Sequence, residues 1–240
     1  MDVYLQPHSD DICFSLGALA HKQHRGILLT VLPISAYVPV PAGGTTRSSE
    51  EVTAIRVAED VVFAGACGLD ARFIQMKDAS LLGHRPFDLG WVDENMRRIE
   101  TPLLDVLLGL PSQGCNRRSW LFCPIGIGGH VDHVAIRMAV SRMPERLARR
   151  YRIAYYEDLH YASQPIVRKN WISDFLQAMQ ERRMRRHAFP FGDNVADKLA
   201  LIHHYRSQFL EMPQSIAKFT PAAELPASPH EAVWTDEPAE

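Results

Sequence analysis

The sequence has few cysteines and no pair of them spaced for zinc binding or redox chemistry. Only four of its 240 residues are cysteine, and none stands in a C-x-x-C motif. Three of the four lie in apolar surroundings. We therefore expect buried free thiols in a reducing compartment and no disulfide framework. The cysteines are Cys13, Cys67, Cys115 and Cys123.

Long hydrophobic runs and an excess of one charge are also missing. No apolar run approaches the ~18 residues of a membrane-spanning helix, and the N-terminus lacks the features of a secretory signal. The net charge is only −2, which gives no protein-wide field to attract nucleic acid or anionic lipid. Two basic runs, 146–152 and 182–186, lie in charge-mixed sequence typical of a solvated helix face. We expect a cytoplasmic protein that binds a small molecule, with its oligomeric state open.

Strand-like and helix-like segments alternate along the chain. This rhythm predicts a doubly wound α/β fold, a Rossmann-like three-layer sandwich with a mainly parallel sheet. One domain is expected over 1–212, followed by a Pro/Ala-rich acidic tail over 213–240 that frays. A Pro/Gly/Ser/Thr-rich loop is predicted over 34–48. Strands are predicted at 3–6, 27–32, 72–76, 119–124 and 152–156, and helices at 12–24, from 49 to 65 or 68, and at 91–108, 131–143, 168–187 and 194–211.

Two polar clusters follow predicted strands, directly before helices. The first reads Pro-His-Ser-Asp-Asp over 7–11, and the second reads Gly-Gly-His-Val-Asp-His over 128–133. In open α/β sheets, ligands bind beyond the carboxyl ends of the strands. Each cluster alone fits an ordinary helix start, with a capping side chain and carboxylates near the helix dipole. Their equivalent positions favour a shared site.

The clusters contain residue types that a catalytic zinc site uses. His8 and Asp11 stand three residues apart, as do His130 and His133, so each pair faces one way on a helical turn. Three ligands, His8, Asp11 and His133, would leave a position open for water. Asp10 could then act as general base, and His130 could stabilise an oxyanion or protonate a leaving amine. Asp132 is predicted to orient His130 by accepting its second ring proton.

The two motifs resemble those of the PIG-L/LmbE-like deacetylases, zinc hydrolases that remove N-acetyl groups from amino sugars and related small molecules. The usual first motif is Ala- or Pro-His-Pro-Asp-Asp-Glu; residues 7–12 here read Pro-His-Ser-Asp-Asp-Ile. The second, His-x-Asp-His, is intact over 130–133. The resemblance implies one zinc ion on His8, Asp11 and His133, with Asp10 as base and His130 as acid or electrostatic partner.

Weaker matches extend over most of the chain. The segment RVAEDVVFAGACGL resembles the Arg-x-x-Glu helix of the family, which implies that Arg56 contacts substrate. Arg47 in the long loop competes for that role, and a salt bridge from Arg56 to Glu59 or Asp60 is the structural alternative. MKDAS resembles the post-strand segment that places Asp78 near substrate. YYEDLHYA and KLALIHHYRSQF resemble later segments of a subgroup.

The sequence departs from the family pattern at two motif positions and at one later residue. Ser9 replaces the usual Pro, and Ile12 replaces a Glu that supports the metal ligands. The loss of that Glu leaves the substrate subclass open. His160 stands where the subgroup often has Pro, and whether it reaches the site is also open.

Two other functions compete with the N-deacetylase. Two histidines and a carboxylate also form the ligand triad of iron(II) oxygenases, although those usually have an antiparallel jelly-roll fold. A non-catalytic carbohydrate-binding protein is the third hypothesis, but it has little need of a base such as Asp10 beside a metal.

Overall fold

The structure is a computed structural model that describes residues 1–38, 47–111, 118–179, 182–208, 216–222 and 228–236, with Asp193 described by its backbone alone. The strands are β1 (Val3–Gln6), β2 (Gly26–Thr30), β3 (Leu69–Phe73), β4 (Ser119–Pro124), β5 (Tyr151–Tyr156), β6 (Arg185–Pro190) and β7 (His230–Thr235). The α-helices are α1 (Asp11–Gln23), α2 (Ser49–Ala66), α3 (Val92–Gly109), α4 (Val131–Ser141), α5 (Pro144–Ala148), α6 (Pro165–Ala178) and α7 (Val195–Ile202).

The seven strands form one sheet in the order β3-β2-β1-β4-β5-β7-β6. The first five strands pair in parallel, and β7 pairs antiparallel with β5 and β6. Every residue of β1 and β2 is buried, as expected for strands covered by helices on both faces. The predicted α/β fold with a mainly parallel sheet is confirmed.

The strand order reverses between β1 and β4. From β1 the chain continues outward through β2 and β3 on one side, and returns to β4 and β5 on the other. At such a switch point the loops at the carboxyl ends of the two strands diverge and leave a crevice. The loop after β1 carries residues 7–11, and the loop after β4 carries residues 125–130.

The helix predicted over 168–187 is only partly correct. Helix α6 ends at Ala178, and Arg185–Pro190 is strand β6 at the edge of the sheet. Charged residues protect an edge strand from pairing with other chains, and here they also hide the apolar alternation by which a strand is recognised.

The tail predicted to fray contains a strand inside the sheet. Residues His230–Thr235 form β7 between β5 and β6, and all but one of its residues are buried. The boundary predicted at residue 212 therefore separates β7 from the sheet to which it belongs. The sequence did not predict this strand, because the last segment is rich in Pro, Ala and acidic residues. Glu231, which is buried in β7, is of a type normally found at the surface.

Glu231 has a partner in helix α1, which is broken at Leu16 (φ −135°, ψ 20°). At the break, the N–H groups of Ala18 and Leu19 donate to the two carboxylate oxygens of Glu231, each at 2.8 Å. A buried helix break needs such acceptors, since unpaired buried N–H groups are costly.

Lys198 of α7 donates to the carbonyl groups that precede the same break. Its Nζ donates to the carbonyl oxygens of Cys13 and Phe14, both at 2.7 Å, and to Glu231 at 2.5 Å. The side chains of Lys198 and Glu231 are fully buried. We call this pair the α1 cross-tie, because it joins α1 to α7 and to β7.

Cys13, Cys67 and Cys123 are buried free thiols, as predicted; Cys115 lies outside the described residues. Within the described ranges, we find no helix that is both long and apolar enough to cross a bilayer.

Candidate active site

A cavity of about 280 Å³ opens at the switch point between β1 and β4. Its size is close to the lower end of the ~300–1,000 Å³ range of small-molecule sites. Both polar clusters predicted from the sequence line it, through His8, Asp10, Asp11, His130, Asp132 and His133.

The turn after β1 is held in an unusual backbone conformation. Asp10, at the N-cap position of α1, has φ 109°, a value that costs a non-glycine residue roughly 1–3 kcal/mol. The backbone N–H of His8 donates to Asp11 Oδ2 at 2.8 Å, and that of Ile12 donates to Gln6 Oε1 at 3.1 Å. The first bond holds the Asp11 carboxylate against the turn, and the second ties the start of α1 to the end of β1.

The side chains of His8, Asp11 and His133 converge at distances that suit metal ligands. His8 Nδ1 lies 3.6 Å from Asp11 Oδ2, and His133 Nε2 lies 3.4 Å from Asp11 Oδ1. Tetrahedral zinc with bonds of about 2.0–2.1 Å separates its ligand atoms by about 3.3–3.4 Å. Both distances are close to this spacing, although they end on different oxygens of Asp11, so the donor set is compatible with a zinc ion.

His130 lies beside the same group. His8, His130 and His133 each offer a ring nitrogen within 4.8 Å of the others, so this cluster could hold a metal ion. A set of three histidines is thus an alternative to the set that includes Asp11. Asp11 contacts two of these rings and is buried with them, which favours the carboxylate-containing set.

The electrostatics of the cluster favour positive charge at its centre. Burial alone would lower the pKa of His8, but hydrogen bonds with Asp11 and Asp132 raise it to about 10. Burial would raise the pKa of Asp11, yet the neighbouring His133 and His8 hold it well below its usual range. The carboxylates that favour a proton on His8 would equally favour a metal cation. The cation would take the place of that proton, because an imidazole that binds a metal is neutral.

Asp158, just after β5, orients His133. Its Oδ1 lies 2.7 Å from His133 Nδ1, and its Oδ2 accepts the backbone N–H groups of Gly126 (2.7 Å) and Ile127 (2.9 Å). A carboxylate on the second ring nitrogen is typical of metal-bound histidine, whose Nε2 it leaves free for the ion. Sequence reasoning missed this residue. The available signal was a pair of carboxylates after a predicted strand, at the same sheet edge as the two clusters.

Asp132 has a different partner from the one predicted. Its Oδ2 lies 3.0 Å from His8 Nε2 and accepts the N–H of Ala79 at 3.0 Å, while Oδ1 is buried with no hydrogen-bond partner among the described residues. The expected bond from His130 to this carboxylate is therefore not formed. Instead the backbone N–H of Asp132 donates to His130 Nδ1 at 3.4 Å.

Asp10 lies next to the guanidinium of Arg56. Burial raises the pKa of the Asp10 carboxyl to about 8, against the opposing effect of Arg56 at 3.6 Å. Arg56 also donates to the carbonyl oxygen of Ser9 at 2.7 Å. It therefore holds the backbone of the turn after β1 and also lies beside the Asp10 carboxylate. The alternative salt bridge to Glu59 or Asp60 is not what the structure shows.

Two further predicted substrate residues occupy different places. Asp78 lines the cavity and is buried, with Oδ1 accepting the hydroxyl of Ser80 (2.7 Å) and the N–H of Leu81 (3.0 Å). Arg47 is exposed and is not part of the described cavity lining. His160, whose position was left open, does line the cavity, and burial lowers its pKa.

Comparison with known proteins gives a consistent result for the fold. No family model matches the chain, and no curated sequence matches it. Among solved structures, the A40926 pseudoaglycone deacetylase Dbv21 is 18% identical with a TM-score of 0.65, over 97% of this chain and 95% of that one.

Two teicoplanin deacetylase structures agree. The deacetylase–teicoplanin complex is 15% identical with a TM-score of 0.65, and the zinc inhibited form of teicoplanin deacetylase Orf2 is 16% identical with a TM-score of 0.63. Both alignments cover 97% of this chain and 96% of the other. The chain therefore has the fold of these deacetylases, which confirms at the level of the fold the resemblance predicted from its two motifs.

Proposed function

We propose that the protein is a zinc-dependent hydrolase that removes an N-acetyl or other N-acyl group from a small, amino-sugar-like molecule. The observation that carries the proposal is the approach of His8 and His133 to the Asp11 carboxylate, with Asp10 beside them in one cavity. The names of the solved structures that share the fold, deacetylases of teicoplanin and of the A40926 pseudoaglycone, support it.

His8, Asp11 and His133 would hold one zinc ion per chain. Bound there, zinc would lower the pKa of a water molecule towards ~7 and polarise the acyl carbonyl. Asp158 keeps His133 in the required tautomer through its 2.7 Å contact with Nδ1.

Asp10 is proposed as the general base that takes the proton of the attacking water. Its neighbour Asp11 turns towards the histidines, while Asp10 turns towards Arg56. A carboxyl whose pKa is raised towards neutrality by burial is suited to proton transfer at physiological pH.

His130 is proposed to donate a hydrogen bond to the developing oxyanion. The other predicted role, protonation of the leaving amine, has less support, because a neutral imidazole is too weak an acid for it. Burial and the neighbouring His8 and His133 hold its pKa well below the usual range, so the ring is neutral. Because its Nδ1 accepts the N–H of Asp132, the ring proton resides on Nε2. This nitrogen is then a donor.

Arg56 and Asp78 are proposed to border the substrate, since both line the cavity. Arg47, exposed and outside the described lining, has less support for this role. The iron(II) oxygenase hypothesis loses support, because the sheet is mainly parallel and no jelly roll is present in the described chain.

The test is acetate release from a panel of N-acetylated amino sugars, combined with metal analysis. The wild-type protein should carry about one zinc per chain and release acetate, and His133→Ala should lose both. Full zinc occupancy in His133→Ala would contradict the ligand assignment. Sugar binding without acetate release in the zinc-loaded wild type would instead support the carbohydrate-binding hypothesis.

A further inference from the structure

Two exposed aromatic rings stand at the mouth of the cavity. Tyr37 is 61% exposed and Phe87 is 59% exposed, and both line the cavity. The other large apolar side chains exposed in the described ranges are aliphatic. Exposed aromatic surface is thus concentrated at the proposed active site, and such concentration marks a binding surface.

Phe87 stands on a backbone segment that is tied to the catalytic loop. The carbonyl oxygen of Pro86 accepts the N–H of Val131 at 2.7 Å. The Phe87 ring packs edge-on against His130, with centroids 5.5 Å apart, and against Tyr161 at 6.2 Å. The ring is therefore positioned before any ligand arrives, which reduces the entropy cost of binding.

Tyr37 is anchored in a similar way. Its backbone N–H donates to Ser35 Oγ at 3.0 Å, and its carbonyl oxygen accepts from Arg56 at 3.3 Å. Its ring remains mostly exposed although its backbone is held.

Apart from the proposed zinc ion, the described cavity lining offers an anionic substrate group no cationic side chain that is not already paired. This lining includes four carboxylates and a single guanidinium, that of Arg56. Arg56 is already paired with Asp10 and donates to the backbone of Ser9 and Tyr37. A phosphate group normally requires a cation or backbone donors free to face it. Lys218, which acts electrostatically on His160, is exposed and lies outside the described lining.

We propose that Phe87 and Tyr37 form a subsite for a neutral, apolar ring attached to the amino sugar, and that the enzyme prefers aryl glycosides to free sugars and sugar phosphates. This rests on the proposed deacetylase function. The acyl group must reach Asp10 and Asp11, which are 9% and 8% exposed. The two rings at the mouth therefore meet the far end of the substrate, its aglycone.

The test compares kcat/KM for phenyl N-acetyl-β-glucosaminide, N-acetylglucosamine and N-acetylglucosamine 1-phosphate. Stacking on aromatic side chains predicts a preference on the order of tenfold for the phenyl glycoside over the free sugar. The phosphate should be the poorest substrate. Phe87→Ala and Tyr37→Ala should remove most of the phenyl preference while the free sugar loses at most about twofold. Val62→Ala, at an exposed position of α2, is the matched control and should change neither rate.

Three kinetic outcomes would overturn the proposal. They are an absence of phenyl preference, a preference for the phosphate, and an equal loss on both neutral substrates in Phe87→Ala. The last would mean that the ring contacts the sugar itself or supports His130.

A binding measurement separates this proposal from the proposed function. If no N-acetyl sugar releases acetate, the deacetylase assignment fails, and calorimetry with phenyl and methyl thioglycosides of N-acetylglucosamine still tests the subsite. Tighter binding of the phenyl compound, lost in Phe87→Ala, supports it. Equal binding of the two compounds overturns it.

Discussion

At the scale of single residues, the two adjacent aspartates of the cavity face different partners. Asp10 adopts a positive φ and turns to Arg56, whereas Asp11 turns to His8 and His133. Neighbouring carboxylates on one turn thus point to different partners, which allows one to serve as base and the other as ligand.

Asp10→Asn and Asp11→Asn should therefore differ. Asp10→Asn should keep its zinc, because the ligand set is intact, and lose ~10²–10⁴-fold in deacetylation rate, the usual contribution of a general base. Asp11→Asn should lose metal affinity as well as rate. Zinc content and acetate release measured side by side check this division. Equal metal loss in both variants, or a near-normal rate in Asp10→Asn, would contradict it.

Asp158 allows a second prediction at this scale. Asp158→Asn should lower zinc affinity about 10–100-fold, as loss of a carboxylate behind a ligating histidine typically does, because the amide cannot hold the His133 tautomer equally well. Competition with a chromogenic chelator measures the affinity. Asp78→Asn is the matched control: it alters a buried carboxylate of the same cavity but should affect KM and leave zinc affinity intact. Unchanged affinity in Asp158→Asn would show that Asp158 only supports the loop.

At the scale of elements, α1 carries the site on a broken helix. The first turn, with Asp11 and Phe14, precedes the break at Leu16, and Lys198 and Glu231 satisfy the polar groups that the break exposes. Buried ion pairs often contribute little net stability compared with apolar residues of similar size. The α1 cross-tie is therefore better explained by the direction that it gives to the first turn.

Removing the α1 cross-tie should weaken zinc binding by more than the loss of unfolding free energy accounts for. Glu231→Gln should cost roughly 3–5 kcal/mol of unfolding free energy, since it leaves Lys198 buried and unpaired. The double change Lys198→Met with Glu231→Leu should regain part of this stability, yet bind zinc more weakly than wild type. Chemical unfolding and zinc titration measure the two effects.

The control for this prediction is Phe175→Leu, a core substitution in α6 away from α1. At a comparable loss of unfolding free energy it should retain zinc affinity. A folded double variant with wild-type zinc affinity and kcat would show that the cross-tie is only structural.

The elements also show where sequence rules suffice. Local chemistry predicted the start of α2, because Ser48 and Glu51 form the reciprocal bonds of a capping box. The bounds of β1 and β4 were predicted correctly. Strand β3 lies three residues earlier than predicted, although its apolar and polar residues alternate as in a half-buried strand. Strands β6 and β7 were missed because their charged residues are stabilised by ion pairs with residues far away in the sequence. The alternation of apolar and polar residues within each segment does not reveal such pairs.

The same distinction holds for the site. The i,i+3 spacing within each motif identified His8, Asp11, His130 and His133 as candidates. Their proximity could be predicted because the carboxyl ends of parallel strands lie at the same edge of the sheet. Asp158 lies 25 residues from His133, and its sequence signal, a pair of carboxylates after a predicted strand, does not reveal which ligand it supports. The partner of Asp132 could not be predicted either, because it depends on how two separate loops approach each other.

At the scale of the whole molecule, one buried carboxylate joins the last strands to the rest of the sheet. Glu157, after β5, accepts from Arg168 of α6 at 2.6 and 2.8 Å, from Arg186 of β6 at 2.7 Å, and from Trp234 of β7 at 2.9 Å. Burial would raise its pKa, but the two guanidinium groups hold it below the usual range.

This lowered pKa predicts a pH-dependent stability. A carboxyl that binds protons less readily when folded stabilises the fold above its unfolded pKa of about 4.3, and the contribution disappears as pH falls through the folded pKa. Glu157→Gln should cost roughly 3–5 kcal/mol near pH 7, and the difference from wild type should shrink below about pH 4. Urea unfolding of both proteins near pH 7 and below about pH 4 measures the difference.

The exposed pair Asp70–Arg72 supplies the control, because Asp70→Asn should cost under about 1 kcal/mol at either pH. A cost for Glu157→Gln that does not vary with pH would contradict the prediction.

The α1 cross-tie also has a consequence for the order of events during synthesis. Glu231 lies 213 residues after Ala18, the N–H of which it accepts. At ~5–20 residues per second, roughly 10 to 40 s separate the appearance of the two residues on the ribosome. The turn that bears His8 and Asp11 is synthesised well before β7, yet its supporting helix obtains a partner from that later strand. A nascent chain interrupted before β7 would carry every proposed metal ligand and still lack the support for helix α1, so activity would arise only after β7 has been made.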